Sequence, residues 1–460
     1  MATLIYKMEC KDRTPGRLEV RESKANKPGN FQSKLVTTMG KGATELGNGL
    51  ARDLARIGQG LFLCDRAFRR GQTLGTKTRV LTLWVPVENV DRWERIKGKI
   101  EAWAQFVSHD IWTIHFVKYP APKQESAGSP DPSMKKAVVS LFSDGLDSLA
   151  GAAHTLLNDE AVVFVSHNPP GFETSQKRVD ALRDCLGDRG VRTYFANFSF
   201  LVSDKDLTTQ RRNRFPETRR RTRPLLYLSM AGAIALEYGM RNIRLNENGI
   251  LAVNLPIRPD RQGVEISRHA HPETLAQYED ILNSLKAGGG AFTVSNPFFG
   301  MTKAQEIAVL TKAVTLVSET ISCEYGRQQM RRINSHQPTG KKAKECGLCL
   351  PCLMRRIAVN GAGFGEPSGH YAYAIAKAAK AASSGRSHPD LPLFDLLKYN
   401  LEDIRLFCQE IQGMDLKQFS RHFLYELSLL SRDPGNVPAL TQALFDLHQQ
   451  FALEALSFLP

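Results

Sequence analysis

The sequence predicts an α/β protein built on a doubly wound parallel sheet, with an N-terminal α+β domain, a cysteine-rich segment and a helical C-terminal region. Three observations support this fold class. Strand-like apolar runs alternate with helical patterns after residue 137, three cysteines cluster near residue 350, and residues 372–459 are mostly helical in pattern. Alternation of strands and helices is typical of a parallel sheet that binds ligands at the carboxyl ends of its strands.

Residues 1–120 are predicted to form the independent N-terminal domain. The helices and strands expected in it lie at 47–70, 80–87, 91–107 and 111–117. No catalytic constellation stands out there, which favours partner binding or packing over a second active site.

Periodicity disappears across 121–136, where prolines and small polar residues predict a linker. The parallel sheet is then expected over 137–318. The cysteine-rich segment follows at 319–365, and the helical region at 366–460.

The first strand after the linker ends in a polar turn. Residues 138–142 are apolar and β-branched, residues 143–148 form the turn, and apolar residues recur at helical spacing from Leu146 onward. The turn would deliver N–H groups and hydroxyls to the positive end of a helix, which suits a phosphate. An ordinary turn between a strand and a helix has the same composition.

The chain carries a formal net charge of +14, which implies affinity for an anionic partner such as ATP, RNA or an acidic protein surface. Arginines concentrate between Arg211 and Arg223, and this tract fits a phosphate clamp, an RNA contact or a solvated face equally well. The sequence shows neither a long apolar run nor the apolar core of a signal peptide, so we expect no membrane span and a cytoplasmic location.

Residues 250–300 carry few secondary-structure signals and several reactive side chains, which is typical of a binding lid. Arg268, His269 and His271 are candidates for substrate contacts or acid/base work, although loop histidines can also be merely solvated. Thr302 is a plausible N-cap for a helix over 303–316.

Cys346, Cys349 and Cys352 are each separated by two residues, close enough to bind one tetrahedral ion. Cys323 is the best candidate for the fourth ligand and His336 is the alternative. The pattern favours structural zinc over a redox pair or an iron–sulfur cluster.

Residues 143–148 read Ser-Asp-Gly-Leu-Asp-Ser and resemble the Ser-Gly-Gly-x-Asp-Ser loop of the PP-loop ATPases, with Asp144 in place of the usual glycine. Those enzymes cleave ATP between its α and β phosphates and pass AMP to a substrate oxygen. Together with Ser322-Cys323, the cysteine cluster, Arg355 and Thr302-Lys303-Ala304, the loop resembles the QueC family of 7-cyano-7-deazaguanine synthases over residues 137–360. The extended chain is similar to the QueC-like proteins of bacterial anti-phage systems, including Qat and type IV CBASS.

The resemblance implies a Rossmann-like PP-loop ATPase domain, a zinc-binding segment, and the cofactors ATP, Mg²⁺ and Zn²⁺. The residues expected to bind ATP are Ser143, Asp144, Gly145, Leu146, Asp147, Ser148 and His167. Catalytic roles are expected for Asp147, which could position Mg²⁺ or cap the helix, and for Ser148, Arg223 and Lys303. Substrate contacts are expected at Glu247, Asn248, Arg268 and His271, and the metal ligands at Cys323, Cys346, Cys349 and Cys352.

The function expected is ATP-dependent adenylation of a 7-carboxy-7-deazaguanine-like carboxylate, followed by amide formation on the amine of a protein partner. One alternative is synthesis of 7-cyano-7-deazaguanine with ammonia. A second is RNA modification such as thiolation, which the basic tract supports but which is not favoured. A third is a defence adaptor that binds ATP without turnover, for which Asp144 is the hint.

Overall fold

The computed structural model describes residues 5–10, 16–22, 31–39, 45–71, 78–121, 132–159, 161–167, 172–202, 221–258, 267–288, 290–325, 327–335, 342–365, 369–384, 392–431 and 433–460. The fold is mixed α/β with parallel strands and many helices, as predicted. Within these ranges, no helix combines the length and the apolarity that a membrane crossing requires.

The described strands form two sheets. They are β1 (Ile5–Cys10), β2 (Gly16–Arg21), β3 (Phe31–Thr37), β4 (Val80–Val87), β5 (Ile111–Lys118), β6 (Val138–Leu141), β7 (Ala161–His167), β8 (Arg192–Val202), β9 (Asn242–Arg244) and β10 (Thr293–Ser295). The smaller sheet has the order β2-β1-β4-β5 and the larger one β10-β9-β6-β7-β8-β3.

The helices in the first half of the chain are α1 (Gly49–Ala67), α2 (Val90–Arg95), α3 (Lys97–Ser108), α4 (Leu146–Asn158), α5 (Phe172–Leu186) and α6 (Arg223–Tyr238). The next are α7 (Gly249–Val253), α8 (Pro272–Ser284), α9 (Lys303–Ile307), α10 (Val314–Val317), α11 (Arg327–Ser335) and α12 (Leu350–Gly361). The last are α13 (Ile375–Ser383), α14 (Pro392–Gly413), α15 (Leu416–His422), α16 (Leu424–Ser428) and α17 (Val437–Phe458), and short 3₁₀ turns lie at Pro132–Lys136, Ala308–Ala313 and Pro434–Asn436.

Five strands of the larger sheet run parallel in the order β10-β9-β6-β7-β8. From β6 the chain moves outward to β7 and β8, then returns to place β9 on the other side of β6. The strand order therefore reverses between β6 and β9, which is where doubly wound sheets open a crevice for ligands. This topology explains why residues far apart in sequence converge at one site.

Both faces of the larger sheet are covered, so its central strands are apolar on both sides. In β7, Val163 and Val165 pack in the same core as helices α1 and α6. Val162 and Phe164 pack on the opposite face with residues of α4 and α5. The near-continuous apolar run of β7 follows from this double burial.

The N-terminal segment contributes to both sheets. β3 pairs antiparallel with β8 at the edge of the larger sheet, and α1 packs along α6. Gly58 permits this close approach, because a Cβ there would lie 2.4 Å from Ser229 Cβ. The domain boundary near residue 120 stays a prediction, but the segment before it shares a core with the parallel sheet.

Most of the expected elements are present, with four differences. Helix α8 (Pro272–Ser284) lies within residues 250–300, where few secondary-structure signals were expected. Strands β1, β2 and β3 were not predicted. The helix expected over 91–107 is two helices separated at Ile96, and the one expected over 303–316 is interrupted by the 3₁₀ turn Ala308–Ala313. Thr302 is the predicted N-cap of α9, within a capping box that includes Gln305.

The C-terminal region is helical and packs on the cysteine-rich segment. Helices α12, α13, α14 and α17 share one core, which contains Cys346, Cys349 and Cys352. The same region reaches the parallel sheet, because Glu454 of α17 accepts a hydrogen bond from Thr302 Oγ1 at 2.9 Å.

Candidate active site

A cavity of about 450 Å³ opens at the carboxyl ends of β6, β7 and β9, where the strand order reverses. Its walls come from the turn after β6, the end of β7, the start of α6 and the segment after β9. The residues that line it include Ser143, Asp144, Gly145, Asp147, Ser148, Ser166, His167, Arg223, Tyr227, Asn246, Glu247, His269 and Ile321. Most of the predicted ATP site therefore surrounds one cavity.

The turn after β6 delivers hydroxyls and backbone donors to this cavity. Gly145 is the N-cap residue of α4, and no side chain caps this helix end. Ser143 Oγ lies 2.8 Å from Ser148 Oγ and accepts a hydrogen bond from the Gly145 N–H at 3.2 Å. The uncapped N–H groups and the two hydroxyls form an anion-binding end of the kind that holds phosphates. Leu146 is fully buried beneath the turn and anchors it.

Asp144, the departure from the PP-loop pattern, is paired with a cation. Arg178 of α5 donates to the Asp144 carboxylate at 3.1 Å, and the Ile321 N–H donates to the Asp144 backbone carbonyl at 3.1 Å. The guanidinium offsets the charge that would otherwise repel a phosphate at this position. No sequence signal identified Arg178, because it lies on a surface helix far from the motif.

Asp147 lies at the centre of a charged cluster. Lys303 Nζ donates to its carboxylate, and Asn248 Nδ2 donates to Asp147 Oδ1 at 3.2 Å. Burial favours the neutral acid, but the Lys303 ammonium outweighs it and holds the pKa of Asp147 well below its usual range. Burial and the Asp147 charge raise the pKa of Glu306, which is also buried in this cluster, well above its usual range.

Glu247 and Asn248 follow β9 and lie beside this cluster. Glu247 Oε2 lies 2.7 Å from His269 Nε2, and Asn248 Nδ2 donates to Glu247 Oε1 at 3.0 Å. Burial and the nearby Asp147 charge raise the pKa of Glu247. Glu247 therefore lines the cavity, with His269 as an added neighbour, whereas Asn248 is fully buried and contacts Glu247 and Asp147.

Arg223 and His167 complete the predicted set in the cavity. Arg223 begins α6, and its Nε donates to the Tyr227 hydroxyl at 2.6 Å. His167 ends β7, and its Nε2 accepts a hydrogen bond from the Phe200 N–H at 3.3 Å. Arg223 is exposed and lines the cavity, so its guanidinium is open to an incoming phosphate. Residues 211–220 of the basic tract lie outside the described residues.

Arg268 and His271 do not line the cavity, contrary to the expectation that they contact substrate. Arg268 lies over the Phe106 ring at 4.5 Å and donates to the Phe106 carbonyl at 3.2 Å. His271 is the N-cap of α8 and accepts from the Glu273 N–H at 3.2 Å. Both side chains are buried in packing contacts, and His269 between them takes the cavity position.

The four predicted metal ligands come together. All four sulfurs of Cys323, Cys346, Cys349 and Cys352 lie within 4.8 Å of one another. The sulfurs of Cys346 and Cys352 are 3.8 Å apart and those of Cys349 and Cys323 are 3.9 Å apart. Four thiolates bound to one tetrahedral zinc would lie about 3.8 Å apart, so the donor set and its spacing fit a single zinc ion.

Backbone geometry supports this assignment. The N–H groups of Leu348 and Cys349 donate to Cys346 Sγ at 3.5 and 3.3 Å, and Gly347 adopts a left-handed φ of 88° that turns the chain around the sulfur. Such donors stabilise thiolate charge. His336, the alternative fourth ligand, lies outside the described residues.

A buried cluster of charged side chains contacts the backbone of one of the metal ligands. Glu345 Oε1 accepts from the Cys323 N–H at 2.7 Å, and Glu345 Oε2 lies 3.0 Å from His370 Nε2 and 3.4 Å from Arg355 Nε. Arg355, part of the sequence motif, also donates to Thr320 Oγ1 at 2.7 Å. Glu345 and His370 carried no sequence signal, because their partners lie far along the chain.

The reversed strand order, the hydroxyl-bearing turn and the cavity between them define an α/β nucleotide-binding protein of the PP-loop ATPase class. A family model described as QueC, Queuosine biosynthesis protein QueC, matches residues 136–363. Residues 136–363 are therefore a QueC-like PP-loop ATPase, which makes the protein an ATP-utilising enzyme of PP-loop type. The family implies ATP and Mg²⁺. A comparison with curated proteins finds no match.

Proposed function

We propose that this protein uses ATP to adenylate the carboxylate of a 7-deazaguanine-type molecule and then joins the acyl group to an amine of a protein partner in anti-phage defence. One observation carries the proposal: a single cavity is lined by both the turn at 143–148 and Glu247. ATP and a carboxylate substrate can therefore meet there.

The chemistry explains why ATP is needed. A carboxylate is a poor acyl donor, because displacement by an amine would expel oxide. Transfer of AMP to a carboxylate oxygen forms an acyl adenylate and releases pyrophosphate. The amine then attacks the carbonyl carbon, and the C–O bond breaks as AMP leaves with the electron pair.

The cavity residues suit the first half of this reaction. The N–H groups at the start of α4 and the hydroxyls of Ser143 and Ser148 would hold the pyrophosphate. The exposed Arg223 would offset charge as pyrophosphate leaves. Asp147 already accepts from Lys303 and Asn248, so Mg²⁺ would be held mainly by phosphate oxygens and water. Zinc bound by the four cysteines would support the fold.

The additional parts of the chain support a protein acceptor. The QueC-matching residues end at 363, while the N-terminal sheet and helices α13 to α17 lie outside them. Ile321 at the cavity lining is 52% exposed, so the cavity reaches the protein surface. A macromolecular amine could approach there, whereas ammonia would require none of the added structure.

Mass spectrometry tests the proposal. The protein is co-expressed with its candidate partner and a source of 7-carboxy-7-deazaguanine, and both small-molecule and intact-protein masses are recorded. We expect the partner to gain the mass of the acyl group with wild-type protein and not with Ser148→Ala. An unmodified partner would contradict conjugation, free nitrile would favour the synthase, and sulfur loss from RNA in a deletion strain would favour RNA modification.

A further inference from the structure

Three side chains form a hydrogen-bonded series beside the cavity. Ser267 Oγ lies 2.8 Å from His269 Nδ1, and His269 Nε2 lies 2.7 Å from Glu247 Oε2. Glu247 is held on its other oxygen by Asn248 Nδ2 at 3.0 Å. The two ends of the series differ in exposure: Ser267 is exposed, whereas the Glu247 side chain is only 13% exposed.

Amide formation needs a base. An amine is mostly protonated at neutral pH, and its nitrogen gains a positive charge when it attacks the acyl adenylate. A proton must leave that nitrogen before or as the C–O bond to AMP breaks, and positioned histidines commonly accept such protons. The base must lie in the cavity and have a nitrogen that can take the proton.

Other acid/base groups of the cavity are already engaged. Asp144 is paired with Arg178, and Asp147 with Lys303. His167 Nε2 accepts from the Phe200 N–H at 3.3 Å, which occupies that nitrogen. His269 instead contacts an exposed hydroxyl through Nδ1, and an amine N–H can replace this hydroxyl.

We propose that His269 is the general base of the amide-forming step, with Glu247 and Ser267 as positioning residues. This inference rests on the proposed function. When Glu247 is ionised, the Nε2–H group donates to its carboxylate, and this contact selects the tautomer in which Nδ1 can accept a proton. The amine nitrogen forms the C–N bond, its proton moves to Nδ1, and AMP leaves with the C–O electron pair.

The surroundings favour this transfer. Burial and the Asp147 charge disfavour ionised Glu247, so a protonated His269 in contact with Glu247 stabilises the carboxylate. Lys303 favours ionised Glu247, and burial raises the pKa of the neighbouring Glu306. Among the described residues, Asp147 and Lys303 act on Glu247 in opposite directions, since Asp147 raises its pKa and Lys303 lowers it.

The test separates adenylation from amide formation. His269→Gln keeps a donor toward Glu247 but has no basic nitrogen, and His422→Gln removes a 44% exposed histidine elsewhere as a control. Adenylation is measured as ATP–pyrophosphate exchange that depends on 7-carboxy-7-deazaguanine. Amide formation is measured in single turnovers with glycinamide and with hydroxylamine, which is largely unprotonated at neutral pH and needs little help from a base.

We expect His269→Gln to retain exchange, to form the glycinamide product roughly 10²- to 10⁴-fold more slowly, and to be much less impaired with hydroxylamine. Ser267→Ala should be impaired less than tenfold, a typical limit for a neutral hydrogen bond. His422→Gln should match wild type.

Equal slowing with both amines, or loss of exchange in His269→Gln, would overturn the assignment of His269 and indicate a structural role. A wild-type protein that shows no carboxylate-dependent exchange would contradict the proposed function itself. The two failures are therefore distinguishable.

Discussion

The cavity and the cysteine cluster both crowd ionisable groups together, but they do so in opposite ways. Three of the four cysteines are fully buried, and backbone N–H groups and the Glu345 cluster surround them. In the cavity, each carboxylate is paired with a basic side chain: Asp144 with Arg178, Asp147 with Lys303, and Glu247 with His269. The cysteine cluster is closed to solvent on most sides and fits a zinc ion, whereas paired carboxylates let an anionic ligand enter the cavity.

The closed character of the cysteine cluster gives the largest expected effect. Cys349→Ser should lower bound zinc from about one ion per chain to nearly none, because a hydroxyl is a poor substitute for a thiolate. A structural zinc contributes about 10 kcal/mol or more to folding, so thermal unfolding should shift by at least about 10 °C. Metal analysis and a thermal melt measure both quantities.

Cys185→Ser provides the matched control, because Cys185 is partly buried and lies outside the cluster. It should retain zinc and melt close to wild type. If Cys349→Ser retained its zinc, or if both variants were destabilised equally, the assignment of a closed zinc site to the four cysteines would be contradicted.

The charge pairing in the cavity predicts the next effect. Lys303→Met leaves the Asp147 carboxylate without its cation, and breaking a buried pair costs about 3 to 5 kcal/mol. Since the Asp147 side chain is 20% exposed, we expect about 3 kcal/mol by chemical denaturation. Adding Asp147→Asn should restore much of this loss, because the uncompensated charge disappears.

A double variant no more stable than Lys303→Met would contradict the pairing. Carboxylate-dependent exchange should be lost in both, since neither retains the cluster beside the phosphate-binding turn. In the double variant the stability is therefore expected to recover while the activity stays lost. In Cys349→Ser, by contrast, the bound zinc and the stability are expected to fall together.

His271 predicts the smallest effect, which depends on pH. Burial and the nearby Arg268 lower the pKa of His271 to about 3 from an ordinary 6.5. The unfolded chain therefore takes up a proton below about pH 6.5 that the folded chain refuses, and stability is lost as pH falls from there toward 3. At pH 5 the loss relative to pH 7.5 is about 2 kcal/mol.

His271→Asn keeps a good N-cap for α8 and removes the titrating group. We expect its denaturation midpoint to fall less steeply between pH 7.5 and 5 than that of wild type. Parallel pH curves for the two proteins would show that His271 is not buried in its neutral form. Other buried histidines, such as His448, contribute equally to both curves.

Sequence reasoning succeeded where a function depends on short spacing. The Cys346, Cys349, Cys352 pattern, the turn at 143–148 and the Thr302 cap are local, and the structure places all of them as expected. The parallel sheet followed from the alternation of strands and helices. The interruption after α9 and the split near Ile96 were finer than periodicity can detect.

Features that depend on distant partners were missed. Strand β3 pairs with β8, which lies more than 150 residues later in the chain. The role of Arg178 depends on its hydrogen bond to Asp144, which the sequence does not reveal. His269 and His271 are two residues apart, yet one lines the cavity and the other is buried. Pro272 was a usable signal, because proline at the first helical position marks the preceding residue as the N-cap.

ATP–pyrophosphate exchange with 7-carboxy-7-deazaguanine tests the central claim most directly, since it requires only that the cavity form an acyl adenylate reversibly. We expect wild-type protein to exchange label only when the carboxylate is present, and Ser148→Ala to lose roughly 10²- to 10³-fold of that rate while melting near wild type. Exchange that is absent in the wild type, or unchanged in Ser148→Ala, would contradict the claim that this cavity activates carboxylates.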